Sequence, residues 1–291
     1  MGLLNKIWKR DPNAEAEVEK LGFEVADCSP DDCAGCGEKY PSSLSIDTET
    51  PLWKSTSPYA LQIIVATGKQ DWQHNPADEA HTVTKKLGKH TDDFEKLAGG
   101  SVKVQAASIS PPDEYFEAQD EKNRPTYIYL LPYFVTLMTT PSTAVQDVEN
   151  VIRAHESGAL KKNAADNLPK SIHFSDNLAY ILLCSHRTRD KRCGITAPIL
   201  RKTFERELRN HDLYRDASDD RENGVNIHYV SHIGGHKFAA NVIIYLKTGE
   251  VIWLARIRPE HVEQVVEKTI LQKKVFPEYL RIAFKTPPTD W

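Results

Sequence analysis

The stretch from Ala179 to Tyr245 constrains this chain more than any other. It reads AYILLCSHRTRDKRCGITAPIL at one end and VNIHYVSHIGGHKFAANVIIY at the other, with a helical pattern and a polar loop between them. Tyr180 to Leu183 and Val225 to Val230 are short apolar runs that end in polar, glycine-containing loops, the pattern of buried strands delivering their last residues to a site. Cys184 and Cys193 follow the first run, and His232 and His236 follow the second. If the two strands are neighbours in a parallel sheet, both pairs meet at its carboxyl edge, where open α/β sheets carry their ligands. Two thiols and two imidazoles are a metal-ligand set.

Composition narrows what such a site can serve. The chain has 291 residues, enough for two domains, and a formal charge of -4 from 37 basic and 41 acidic residues that are interspersed. No overall field recruits nucleic acid or an anionic membrane, and no apolar run is long enough to span a bilayer. The start, MGLLNKIWKRDPNAEAEVEK, lacks a secretory or transit pattern, and Lys6 occupies the position where a myristoylation motif needs Ser or Thr. A cytoplasmic protein is the expectation. Five cysteines, an odd number in a chain with no signal peptide, favour metal or redox use over a disulfide framework.

In order, residues 1–55 are polar and lack sustained periodicity, and are expected to be mobile apart from a short helix near Ala14–Leu21. Cys28, Cys33 and Cys36 lie there, spaced C-x4-C-x2-C. That is the plant-type ferredoxin spacing without its nearby fourth cysteine, so reduced thiols, a redox pair and a weak metal site all remain open. Residues 56–156 read β-α-β-β-α, with strands at Ala60–Ala66, Val102–Ile109 and within Thr126–Met138, and helices at Ala77–Leu97 and Thr143–His155. After a polar linker, residues 175–291 repeat the order. Strands are expected at Ala179–Cys184 and Val225–Val230, a hairpin turns at Thr248-Gly249, and helices cover Pro198–Asn210 and Pro259–Leu271. Matching elements stand about 115 to 123 residues apart, the mark of a duplication. The fold class is α/β, and only the second half carries the ligand set.

Spacing leaves the metal open. Structural zinc sites place their cysteines two to four residues apart on a knuckle, and C-x8-C is more open than that. A dithiol of thioredoxin type needs C-x-x-C. A [2Fe-2S] cluster spreads four ligands over two irons and accepts two histidines, although Rieske centres pair one Cys with one His in each loop, unlike the present pattern. Around the ligands, Gly234 and Gly235 allow close approach of backbone to a cofactor. His186, Arg187 and Arg192 stand as outer residues of the site. Thr196 and Pro198 suggest a helix starting just after Cys193, its positive end favouring a thiolate.

CSHRTRDKRCGITAP followed by HIGGHKFAANVIIY closely resembles the sucrase/ferredoxin-like family of fungi, whose C-terminal domain is a thioredoxin-like ferredoxin. The likeness extends from about Thr48 to the end and includes ETPL at Glu49–Leu52, DWQH at Asp71–His74 and LPYF at Leu131–Phe134. The resemblance implies two thioredoxin-like α/β domains. It also implies a [2Fe-2S] cluster held by Cys184 and Cys193 on one iron and by His232 and His236 on the other. It lends no role to Cys28, Cys33 or Cys36, and no paired carboxylates support sugar hydrolysis.

A cluster site without a G-x-G-x-x-G or P-loop fingerprint points to an electron carrier rather than an enzyme with its own substrate pocket. Neutral imidazole ligands would couple its electron to a proton. The alternative is a module that reports redox state or pH to a protein partner. Expected partners are a flavin-type reductase or other redox protein, and the cytosolic iron-sulfur assembly machinery. Trp291 would recruit that machinery through the acidic-aromatic ending TPPTDW.

Overall fold

The computed structural model describes residues 12–26, 38–161, 168–216, 219 and 221–289, and the described strands form one ten-stranded sheet. The first half runs α1 (Pro12–Lys20), β1 (Leu61–Ala66), α2 (Val83–Gly88), α3 (Thr91–Ala98), β2 (Val102–Ala107), α4 (Asp113–Glu117), β3 (Thr126–Leu131), β4 (Val135–Thr139) and α5 (Ala144–Glu156). A two-residue β5 (His173–Phe174) leads to β6 (Ala179–Cys184), α6 (Lys191–Asn210), β7 (Val225–Val230), β8 (Val242–Leu246) and β9 (Glu250–Leu254). The chain closes with α7 (Val262–Gln264), which widens into a π-helical stretch at Val265–Leu271, and with β10 (Leu280–Lys285).

Strand pairing repeats. β1 is parallel to β2 and antiparallel to β3, which pairs with β4, and β6 is parallel to β7 and antiparallel to β8, which pairs with β9. A parallel pair joined by a helical crossover, followed by an antiparallel hairpin and a helix, is a thioredoxin-like α/β unit, here present twice. The two sets join edge to edge. β2 and β7 run antiparallel with Ala107 opposite Val230, so no free edge is left between them. Ser231 seals the junction: its N–H donates to the Ala106 carbonyl at 2.8 Å, and its Oγ accepts from the Ala106 N–H at 3.1 Å.

Alternation decides which face each residue serves. Leu61, Ile63 and Val65 of β1 pack with Leu87, Phe94 and Val148 from the helices. Ile64 and Ala66 point the other way, into a cluster that also holds Leu182, Cys184 and Trp253 of the second half. Each fully buried large side chain contributes about 1.5–3 kcal/mol. A cluster drawing on both halves therefore holds them against each other.

Four departures from the sequence reading have physical causes. The helix expected to begin beyond Thr196 starts at Lys191, because Asp190 accepts the Arg192 N–H at 2.9 Å and caps the chain a turn and a half earlier. The single helix expected over 77–97 is broken into α2 and α3, with Thr82 capping the first by accepting the Lys85 N–H at 3.1 Å. β10 has no counterpart in the sequence reading; its second residue is a buried arginine, which interrupts the apolar pattern. The short helix expected near Ala14–Leu21 forms as α1 and buries Ala14 and Val18, whereas residues 38–55, expected to be mobile, pack on the second half, where Arg256 Nε donates to the Asp47 carbonyl at 2.7 Å. Among the described residues, no helix is long and apolar enough to cross a membrane.

Candidate metal centre

Cys184 is the last residue of β6, and Cys193 lies in the first turn of α6. Both thiols are buried, at 3% and 1% exposure. Each bears on the other's acidity. The Cys184 thiol is held well below the ordinary thiol range, chiefly by the hydrogen bond from Cys193, with His232 and the backbone N–H groups of His186 and Ile233 adding to it against burial. Cys193 is raised correspondingly, first by Cys184 and then by burial. The intervening loop folds tightly over the helix start. A Cβ on Gly194 would lie 2.4 Å from the Arg187 Cβ, so only glycine fits there.

The second pair sits beyond the end of β7. Gly234 (φ +86°) and Gly235 (φ +68°) take the left-handed conformation that lets the loop reverse, and a Cβ on Gly235 would lie 2.5 Å from the Arg281 guanidinium. This reversal brings the His232 and His236 rings to a centroid distance of 5.1 Å. Each ring keeps a buried Nδ1 with no hydrogen-bond partner among the described residues. Buried polar atoms are normally paired, so two orphaned imidazole nitrogens side by side mark a missing partner. The outer edge of His236 is open, with a side-chain exposure of 42%, and its Nε2 lies 3.9 Å from Asp190 Oδ2. Burial pulls its pKa down while Asp190 opposes the shift.

The outer residues have separate duties. His186, completely buried, accepts the His232 N–H on Nδ1 at 3.1 Å, which leaves Nε2 to donate to the Trp72 carbonyl at 3.0 Å. Both nitrogens are thereby used, and His186 is a brace and not a ligand. Arg192 is committed to Asp190 through Nε and Nη2, at 2.9 and 2.7 Å. Arg187 is exposed and backs Gly194.

Sequence reasoning missed Arg281. Its guanidinium is 2% exposed and donates to the Gly234 carbonyl, Asn241 Oδ1, Ser55 Oγ and the Ser55 carbonyl at 2.9 to 3.0 Å. Burial lowers its pKa to about 10, and the charge of Cys184 opposes that shift. No signal in LRIAFK separates such an arginine from a surface one. Asn241 was missed with it, although its Nδ2 donates to the Gly235 carbonyl at 3.0 Å.

No group of three or more His, Cys, Asp or Glu side chains among the described residues converges as a site for a single ion. The four candidates form two adjacent pairs instead. Cys28, Cys33, Cys36 and Trp291 lie outside the described residues.

Fold and site together define a doubled thioredoxin-like α/β protein with a thiol pair and an imidazole pair at the carboxyl ends of two central strands, β6 and β7. The chain belongs to the sucrase/ferredoxin-like family, whose model matches residues 52–282. It is 34% identical to Actin patches distal protein 1 of Saccharomyces cerevisiae, over 97% of this chain and 98% of that one. It is also 32% identical to Altered inheritance of mitochondria protein 32 of Clavispora lusitaniae, over 52% of this chain and 51% of the relative. Among solved structures, a thioredoxin-like [2Fe-2S] ferredoxin from Aquifex aeolicus matches 38% of this chain and 96% of its own, at 13% identity and a TM-score of 0.28.

Proposed function

We propose that the chain holds a [2Fe-2S] cluster through Cys184, Cys193, His232 and His236 and works as an electron-transfer protein. The observation that carries this reading is the meeting of two buried free thiols with two imidazoles whose buried Nδ1 atoms lack partners among the described residues. Such a cluster supplies a one-electron couple whose potential rises when imidazoles replace thiolates. The protein's own contribution is positional and electrostatic. The hydrogen bond from Cys193 eases loss of the Cys184 proton, Arg281 sets a buried positive charge beneath the loop, and Gly234 and Gly235 let the backbone approach closely. With Nδ1 buried, His236 keeps Nε2 toward Asp190, 3.9 Å from its Oδ2, and this is the atom that would hold a proton if reduction of a bound cluster were coupled to proton uptake.

In this reading the chain acts in cytoplasmic redox homeostasis, with a flavin-type reductase or another redox protein as donor. Trp291 recruits the iron-sulfur assembly machinery; its deletion should lower cluster occupancy in cells and leave chemical reconstitution unchanged. The carrier reading is tested by steady-state reduction with a flavin reductase. Turnover with catalytic reductase supports it, and a cluster that reduces once without passing its electron on refutes it. The other reading, a module that reports redox state or pH to a partner, draws support from the ligand loops being tied to the first half through Asp71 and Trp72.

A further inference from the structure

The ligand candidates all come from the second half, yet the first half holds the thiol loop directly and the histidine loop through His186. One turn, Gln70 to His74, makes most of the contacts. The Gln70 carbonyl accepts from Ser185 Oγ at 2.7 Å, directly after Cys184. The Asp71 carboxylate accepts from the Thr188 N–H at 3.0 Å and from its Oγ1 at 2.7 Å. The Trp72 carbonyl accepts from His186 Nε2, and the Trp72 ring stands edge-on to the His186 ring with centroids 5.7 Å apart. Arg189 Nη1 reaches the His74 ring at 2.8 Å.

His186 makes this arrangement more than a surface contact. It follows Cys184 by two residues, and its Nδ1 takes the backbone N–H of His232. One imidazole therefore connects the thiol loop, the histidine loop and the first half. It is completely buried, and neither nitrogen is free to exchange partners without leaving a buried polar group unpaired, at about 1–3 kcal/mol. The spacing between Cys184 and His232 is fixed through this side chain, and the side chain is fixed through Trp72.

We propose that the Gln70–His74 turn and His186 form a positioning clamp that sets the imidazole pair against the thiol pair, so that the site is completed by the half that contributes no ligand. This inference rests on the cluster reading, and gives the first half a function in that site. Outer-sphere partners of metal ligands typically change affinity 10- to 100-fold when removed. Asp71 is the practical point of attack, because it lies at the surface with a side-chain exposure of 40% and its loss leaves no cavity.

The test uses the full chain with Asp71→Ala, Asp71→Asn and His186→Gln, each reconstituted with iron and sulfide. Cluster loss to a chelator should be about tenfold or more faster in Asp71→Ala and His186→Gln. The electron paramagnetic resonance of the reduced site should broaden in both as the histidine geometry becomes heterogeneous. Asp71→Asn keeps a carbonyl acceptor for the Thr188 N–H and should recover most of the parental line shape and rate. Parental spectra and loss rates in both disruptive variants would overturn the clamp. If the parent itself takes up no cluster, the cluster reading fails separately, and the clamp is then judged in the metal-free chain. There, amide exchange over 232–236 should quicken in His186→Gln and in Asp71→Ala, and unchanged exchange would refute the clamp.

Discussion

Arg281 Nη1 donates to the carbonyl of Gly234 at 3.0 Å, placing a buried guanidinium directly under the turn that separates His232 from His236. The salt bridges of the described residues give Arg281 no carboxylate partner; Asn241, Ser55 and Gly234 satisfy it through neutral oxygens. A buried cation without a carboxylate is costly unless an anion lies within reach. Burial lowers its pKa, and a charge on Cys184 opposes that shift.

Removing that charge has two separable effects. Arg281→Met should lower stability by about 1–3 kcal/mol for each buried acceptor left unpaired, and should move the reduction potential of a reconstituted site to more negative values. Arg281→Lys keeps the charge but loses the fork, so it should lose stability while staying nearer the parental potential. Redox titration of both variants beside the parent checks this. Equal potentials in all three would show that the guanidinium is only a strut.

Gly194 tests the packing of the thiol loop. Its missing side chain is the space filled by Arg187, and Gly194→Ala forces a Cβ to within 2.4 Å of another Cβ. The loop has to lift, so Cys193 should become reactive to a thiol reagent that the parent excludes. Arg187→Gly in the same chain relieves the clash and should restore protection. Protection that persists in Gly194→Ala alone would contradict the tight loop.

An acid limb of stability is expected from His261. It is 7% exposed; its Nδ1 accepts the Arg258 N–H at 3.2 Å and its Nε2 lies 3.3 Å from Tyr279 Oη. Burial, helped by the Arg258 charge, lowers its pKa to about 4. A histidine depressed in the folded state binds its proton more readily when unfolded, so its contribution is complete above about pH 6.5 and is lost as pH falls towards 4. The full swing is on the order of 3 kcal/mol. Denaturant unfolding at pH 7, 5.5 and 4.5 should show a shallower decline in His261→Gln than in the parent, and parallel declines would refute the assignment.

The repeated β-α-β-β-α order was legible because buried strands such as LQIIVA and AYILLC are continuous apolar runs bounded by polar turns. The four ligand candidates were legible because each pair stands just past such a run. What joins them was not. The β2–β7 junction rests largely on backbone bonds and on Ser231 and Ser108, residues with no pattern of their own. Pro198 read as a helix start, although the helix begins earlier, at Lys191 with Asp190 as its cap, and carries the proline inside it. Arg281 and Asp71 carried no signal of their roles, since a sequence does not show which arginine the sheet will bury or which aspartate a distant threonine will find.

The most direct measurement is the nitrogen hyperfine spectrum of the reduced protein, prepared without oxygen from iron-replete cells with and without 15N-labelled histidine, beside its iron and sulfide content. The expected result is two irons and two sulfides per chain, with couplings that respond to the histidine label. Those couplings should disappear in His232→Cys/His236→Cys, which should keep its colour at a more negative potential. A colourless, zinc-loaded chain, or couplings that survive the double substitution, would contradict ligation by Cys184, Cys193, His232 and His236.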